Sequence, residues 1–179
     1  MKIKLTPEHA KALTFQDYSP QPNIEGVFGA KLTKHRALEG SFMEYLRLGG
    51  GVADGLPVEL EVRQISFAEA APGRINAFHL HPKKIQDELW CVVAGEMMVW
   101  LVDLREGSPT VGVKRREILS GEQPTVLHIP SGVAHGYMAG ADGALLVYAM
   151  NSQFDPADPN EGRLPWDHFG EELWEEDRG

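Results

Sequence analysis

The sequence predicts an all-β chain, folded as a sandwich or barrel, with helix confined to its two ends. Three observations point there. Short apolar or alternating runs rich in Val, Ile and aromatic residues recur along the chain. Breakers separate them at short intervals, the 179 residues including 19 glycines and 12 prolines. Little of the chain carries the period of an amphipathic helix.

Taken in order, "TPEHAKALTF" opens a helix, with Thr6 as N-cap and Pro7 at its first position. "SFMEYLRL" (41–48) alternates as a strand, and "GVADGLP" (51–57) reads as a turn or rim loop. No helix follows that loop, so it is not a phosphate loop. "VELEVRQISF" (58–67) sets Val58, Leu60 and Val62 on one face against Glu59, Glu61 and Arg63 on the other. "ELWCVVAGEMMVWLVDL" (88–104) reads as two apolar runs broken at Gly95-Glu96. "TVLHIP" (125–130) and "GALLVYAM" (143–150) are two further strands. "SQFDPADPNEG" is a long loop, and "GEELWEEDRG" a short acidic tail, helical or frayed.

The length suits one domain, 1–179, with a barrel core at about 40–150 between an N-terminal arm and the acidic tail. A net charge of -9 disfavours nucleic acid as a partner, since that needs clustered positive charge. No run is long enough to span a bilayer, and the N-terminus lacks the apolar core of a signal peptide. A cytoplasmic protein is expected. The single cysteine, Cys91, lies within "LWCVVAG" and reads as a buried, inert thiol. Trp90, Trp100 and Phe78 read as core or interface residues.

The chemistry concentrates in "AFHLHPKKIQDELW" (77–90). Strand side chains alternate, so His79 and His81 share a face. Pro82, Lys83 and Lys84 can turn the chain, and Glu88 then faces back from the next strand. His135, in "IPSGVAHGY", follows the turn at Pro130 and Gly132. Three imidazoles and a carboxylate suit a divalent transition metal such as Zn, Mn, Fe, Ni or Cu. A metal-free polar pocket built from the same groups is the alternative.

"HLHPKKIQDELWCVVAG" resembles the first cupin motif, H-x-H, E, G, and "PSGVAH" resembles the P-x-G-x-x-H of the second, though Gly121 stands far from Pro130. Within the cupins the chain is most similar to dTDP-4-dehydrorhamnose 3,5-epimerases. The matching stretches are "VVAGEMMVWLVDLREGSPTVG" (92–112), "LHIPSGVAHGY", "LVYAMNSQFDP", "EGRLPWDHF" and "EGSFMEYL". The resemblance implies a cupin jelly-roll barrel, a homodimer and a carbohydrate-like small-molecule substrate. In that family a histidine removes a proton beside a keto group and a tyrosine returns one from the other face. The resemblance maps the base to His79, the tyrosine to Tyr148 and the base's aspartate partner to Asp167, with His168 the alternative for that last slot. It also implies that Gln64, Asn76 and His128 line the substrate cavity. Arg105 reads as a strand-end turn residue.

Departures from the family pattern fall at charged positions. Glu88 stands where the family has lysine, Asn76 and Glu39 where it has arginines, and His81 where it has glutamine. Those losses weaken the case for a thymidine diphosphate sugar. A cation held by His79, His81, Glu88 and His135 would restore the oxyanion stabilisation that the lysine gives. A liganded His79 would then not be free as the base. The sequence therefore predicts an isomerase related to keto-sugar epimerases. A metal-dependent cupin of other chemistry, dioxygenase or sugar isomerase, and a non-catalytic small-molecule binding protein are the alternatives.

Overall fold

The structure, a computed structural model, describes residues 3–175. A single-turn helix α1 (Pro7–Ala12) and a terminal 3-10 turn (Glu171–Trp174) flank twelve strands. The strands are β1 (Phe28–Lys31), β2 (His35–Ala37), β3 (Gly40–Phe42), β4 (Leu48–Gly49), β5 (Val52–Ala53), β6 (Gln64–Ala70), β7 (Ile75–Leu80), β8 (Glu88–Asp103), β9 (Lys114–Ser120), β10 (Thr125–Ile129), β11 (Val133–Met150) and β12 (Gly162–Arg163). Among the described residues, no helix is long and apolar enough to cross a membrane.

The main sheet runs β1-β10-β8-β11-β7-β12, wholly antiparallel, with β9 added to β8 and β6 to β11. This is the jelly-roll barrel that the sequence predicts. Two long, bent strands make it possible. The start of β8 pairs with β10 and its end with β9. Likewise the start of β11 pairs with β7 and its end with β6. The break at Gly95 is thus a bend within one strand, not an end. Gly95 and Gly143 both take positive φ there, and a Cβ on Gly95 would lie 2.0 Å from the Gly143 carbonyl oxygen.

The barrel interior holds Val92, Met97, Val99, Leu101, Leu119, Leu127 and Leu146. Residues 43–62 form mostly irregular chain laid over the outer face of the sheet, where Leu60, Leu89, Cys91 and Val126 are buried. Here the structure corrects the strands expected at 41–48 and 58–63. The one-sided placement of Val58, Leu60 and Val62 is right, but it serves packing onto a sheet, not pairing within one. On the far side, Phe169 and Trp174 of the C-terminal segment cover Phe78. Trp100 donates to the Leu173 carbonyl at 2.7 Å. Phe78 and Trp100 are therefore packing residues, as expected.

Arg105 takes its turn role in full. The buried Asp103 carboxylate accepts from the Arg105 guanidinium at 2.8 Å, from Ser108 at 2.6 Å and from Thr110 at 2.7 Å. These charge-assisted bonds hold the Asp103 carboxyl well below the usual carboxylate range, the Arg105 bond contributing most.

Candidate functional site

A cavity of about 450 Å³ opens at one end of the barrel. His79, His81, Glu88, His135 and Tyr148 all line it. β7 carries His79 and aligns it opposite His135 on β11. Glu88 and Trp90 share the inward face at the start of β8, where Tyr148 of β11 is the register partner of Trp90.

Three of the four expected ligands converge. One donor atom each from His81, Glu88 and His135 lie within 4.8 Å of one another, and all three residues are buried. Both imidazoles are oriented alike. His81 gives Nδ1–H to the Asn160 carbonyl at 3.0 Å, and His135 gives Nδ1–H to the Val133 carbonyl at 3.0 Å. Their Nε2 atoms face Glu88, at 3.0 and 3.7 Å. Backbone-anchored Nδ1 with Nε2 turned to a shared carboxylate is a donor set that fits a divalent transition metal.

The same groups also form a charged pair. Burial works against ionising Glu88, yet its bond to His81 and the nearby imidazoles outweigh this and bring its carboxyl down to about 2. Trp90 Nε1–H at 2.6 Å and the Gln86 amide at 2.9 Å complete its shell. Burial also opposes protonation of His81, but the Glu88 carboxylate prevails and raises its pKa.

His79 stands apart from this trio, which corrects its expected place as a ligand. It shares Asn76 Oδ1 with Arg163: His79 Nε2 lies 2.9 Å away and Arg163 Nη1 donates at 3.2 Å. Arginine only donates, so the amide oxygen faces this side and His79 presents Nε2–H to it. Nδ1 is then the basic nitrogen. Glu161 Oε1 lies 3.8 Å from it, beyond hydrogen-bond range but near enough to stabilise an imidazolium. Burial, then the charge of His135, lowers the His79 pKa to about 4, so the ring is neutral at pH 7.

The remaining assignments divide. Gln64 and Asn76 line the cavity, and Gln64 Oε1 also accepts from the Phe154 amide at 2.8 Å, tying down the 151–161 loop. Tyr148 lines it too, its phenol pushed up by burial and then by Glu88. His128 does not. It is buried on the outer face of the sheet, stacked on Phe28, with Nδ1 2.6 Å from the Gly26 carbonyl. β10 alternates, and Leu127 and Ile129 take its interior face. Asp167 is also displaced: it sits with His168 in an exposed turn, and neither lines the cavity. The carboxylate facing His79 is Glu161, six positions earlier in the sequence.

Residues 21–170 match the sequence model of the dTDP-4-dehydrorhamnose 3,5-epimerase family. The chain belongs to that family. A relative, spore coat polysaccharide biosynthesis protein SpsL of Bacillus subtilis, is 37% identical over 80% of this chain and 91% of its own length. A dTDP sugar isomerase from Desulfovibrio desulfuricans superposes with a TM-score of 0.71 at 28% identity, over 81% of this chain and 87% of its own. ChmJ, a 3'-monoepimerase from Streptomyces bikiniensis solved with dTDP-quinovose, superposes with a TM-score of 0.69 at 25% identity, over 82% and 73%. The protein is an epimerase-like cupin.

Within this family member, sequence reasoning missed Gln86, Trp90, Asn160, Glu161 and Arg163 as cavity residues. Period-two alternation back from Glu88 and forward to Trp90 points to the first two. The other three arrive on a loop whose return to the barrel leaves no local trace.

Proposed function

We propose that the protein inverts a carbon beside the keto group of a sugar by proton removal and return. The observation that carries this is the separation of His79 from the His81–Glu88–His135 trio, which leaves a neutral imidazole uncommitted in the cavity. His79 Nδ1 takes the proton from the carbon next to the carbonyl, and the C–H electron pair moves onto the carbonyl oxygen as an enolate. Glu161 stabilises the imidazolium so formed, and Asn76 holds the ring in place. Tyr148 gives its phenolic proton to the opposite face of the carbon as the enolate pair returns to form the new C–H bond, and solvent takes the proton from His79 and restores the one on Tyr148. Trp90 and Tyr137 wall the site and limit water.

His81, Glu88 and His135 are the residues that would hold a divalent transition metal, which supplies Lewis-acid stabilisation of the enolate oxygen when bound. Without a metal, His81 and Glu88 form a hydrogen-bonded pair at this wall, the charges of which offset one another. The substrate is proposed to be carbohydrate-like, with strict dTDP-sugar use not required by the cavity, whose polar lining is mostly amide and hydroxyl. The trio also favours a second reading, a metal-dependent cupin of other chemistry. We further propose a homodimer, supported by the unpaired outer edge of β6 with exposed Ile65 and Phe67.

Incubation with dTDP-4-dehydrorhamnose and with a free 4-keto-hexose in D2O, read by mass spectrometry, tests the reaction. Deuterium beside the keto group is expected in at least one of them. Absence of exchange, with oxygen consumed instead, would replace this reading with the second. Elemental analysis near one transition metal per chain would assign the trio to a metal.

A further inference from the structure

Asn76 and His79 are three residues apart on β7, an odd spacing that would turn them to opposite faces of a regular strand. The register between β7 and β11 slips by one residue here: His79 lies opposite His135, but Asn76 lies opposite Tyr137. That extra residue on β7 returns Asn76 to the face that His79 takes. Gly136 makes room for it, since a Cβ there would lie 2.3 Å from the Ala77 Cβ. One amide therefore joins two cavity residues. Its oxygen accepts from His79 at 2.9 Å, and its nitrogen donates to the Tyr137 phenol oxygen at 3.4 Å.

An enolate oxygen needs a hydrogen-bond donor aimed at it. Most cavity donors are already committed. Gln64 gives its amide to Ser66, Gln86 and Trp90 give theirs to Glu88, and Arg163 gives its amino groups to Asn76 and Glu161. His81 and His135 give Nδ1–H to backbone carbonyls and turn Nε2 to Glu88. The hydroxyls of Ser66, Tyr137 and Tyr148 remain. Tyr137 alone of these is buried, at 5% exposure, and tied to His79 through Asn76. Its O–H has no acceptor among the described residues, and accepting from Asn76 polarises it as a donor. Trp90 packs against both tyrosine rings, at 6.1 Å from Tyr137 and 6.5 Å from Tyr148, so the two phenols border one indole.

We propose that Tyr137 is a further catalytic residue, the donor to the enolate oxygen. As His79 takes the proton, the C–H electron pair forms the C=C bond and the carbonyl π pair moves onto oxygen. Tyr137 donates its O–H to that oxygen and keeps its proton. When the pair returns to carbon and Tyr148 protonates it, the carbonyl re-forms and the Tyr137 bond weakens again. The two tyrosines thus divide the work, one serving the oxygen and the other the carbon. The proposal rests on the keto-sugar reading.

Deuterium uptake by dTDP-4-dehydrorhamnose and by a free 4-keto-hexose in D2O, with the full-chain wild type, Tyr137→Phe and Tyr148→Phe, tests it. Phenylalanine fills the same space, so Tyr137→Phe should unfold as cooperatively as the wild type. Loss of one oxyanion donor is expected to lower kcat for uptake by about a hundred-fold or more with KM within about three-fold, because the bond strengthens only as charge develops. Tyr148→Phe should instead keep uptake and lose inversion. Uptake by Tyr137→Phe within about three-fold of the wild type, or a loss that falls on KM alone, overturns the role of Tyr137 and leaves the keto-sugar reading standing. No uptake by the wild type overturns both.

Discussion

Replacing Glu88 with glutamine removes the charge on which the buried trio is built. Its carboxyl falls from an ordinary 4.5 to about 2, and at about 1.4 kcal/mol per pH unit that corresponds to about 3 kcal/mol of folding stability at neutral pH. Loss of one partner of a buried pair typically costs about 3–5 kcal/mol, so two routes agree in scale. Because the folded pKa is depressed, the contribution is present above pH 4.5 and fades as pH falls toward about 2. His81 acts in the opposite sense. Its raised pKa stabilises the fold below pH 6.5, and that contribution is lost as pH rises through the higher folded value. Urea unfolding of metal-free wild type and Glu88→Gln at pH values from 9 to 2 measures both. A deficit of about 3 kcal/mol at pH 7 that narrows below pH 4.5 is expected. A deficit under about 1 kcal/mol at pH 7, or one that stays constant down to pH 2, would refute the charged-pair reasoning.

Tyr148→Phe should retain deuterium uptake by a keto-sugar, since His79 remains, while formation of the inverted product falls by about a hundred-fold or more. Chiral analysis of the products checks this. Gly95→Ala should cost about 3 kcal/mol or prevent folding, because the new methyl meets the Gly143 carbonyl where φ is already positive. Thermal unfolding of that variant is the measurement. Cys91 should react with a thiol reagent only on unfolding, since burial excludes the reagent and pushes its thiol up to about 11. Labelling with and without denaturant reads it directly.

The strand-borne part of the site was legible because alternation is a local rule. His79 and His81 sit two apart, Glu88 opens β8 and His135 follows a proline-glycine turn, so each direction can be read within a few residues. Gln86 and Trp90 obey the same alternation as Glu88, yet the sequence assigns Gln86 nothing and reads Trp90 as a core or interface residue, because nothing local tells a cavity wall from a packed interior. That Glu161, and not Asp167, is the carboxylate near His79 was hidden for a different reason. What sets it opposite His79 is the pairing of β12 with β7, a contact across more than eighty residues made by only two strand residues. His128 shows the limit of type-based reasoning. Its imidazole suits a binding site, but the face it takes is fixed by Leu127 and Ile129, which claim the interior. Val58, Leu60 and Val62 show the same limit for the fold, since one-sided burial looks alike whether a segment is paired in a sheet or laid over one.

The account turns on His79 being an uncommitted base and not a ligand. Deuterium uptake by a keto-sugar, compared between wild type and His79→Asn under single-turnover conditions, tests that most directly. The wild type should incorporate solvent deuterium beside the carbonyl and the variant should lose at least about a hundred-fold of that rate. Equal uptake by the two proteins, or none by a wild type that binds the sugar, would contradict it.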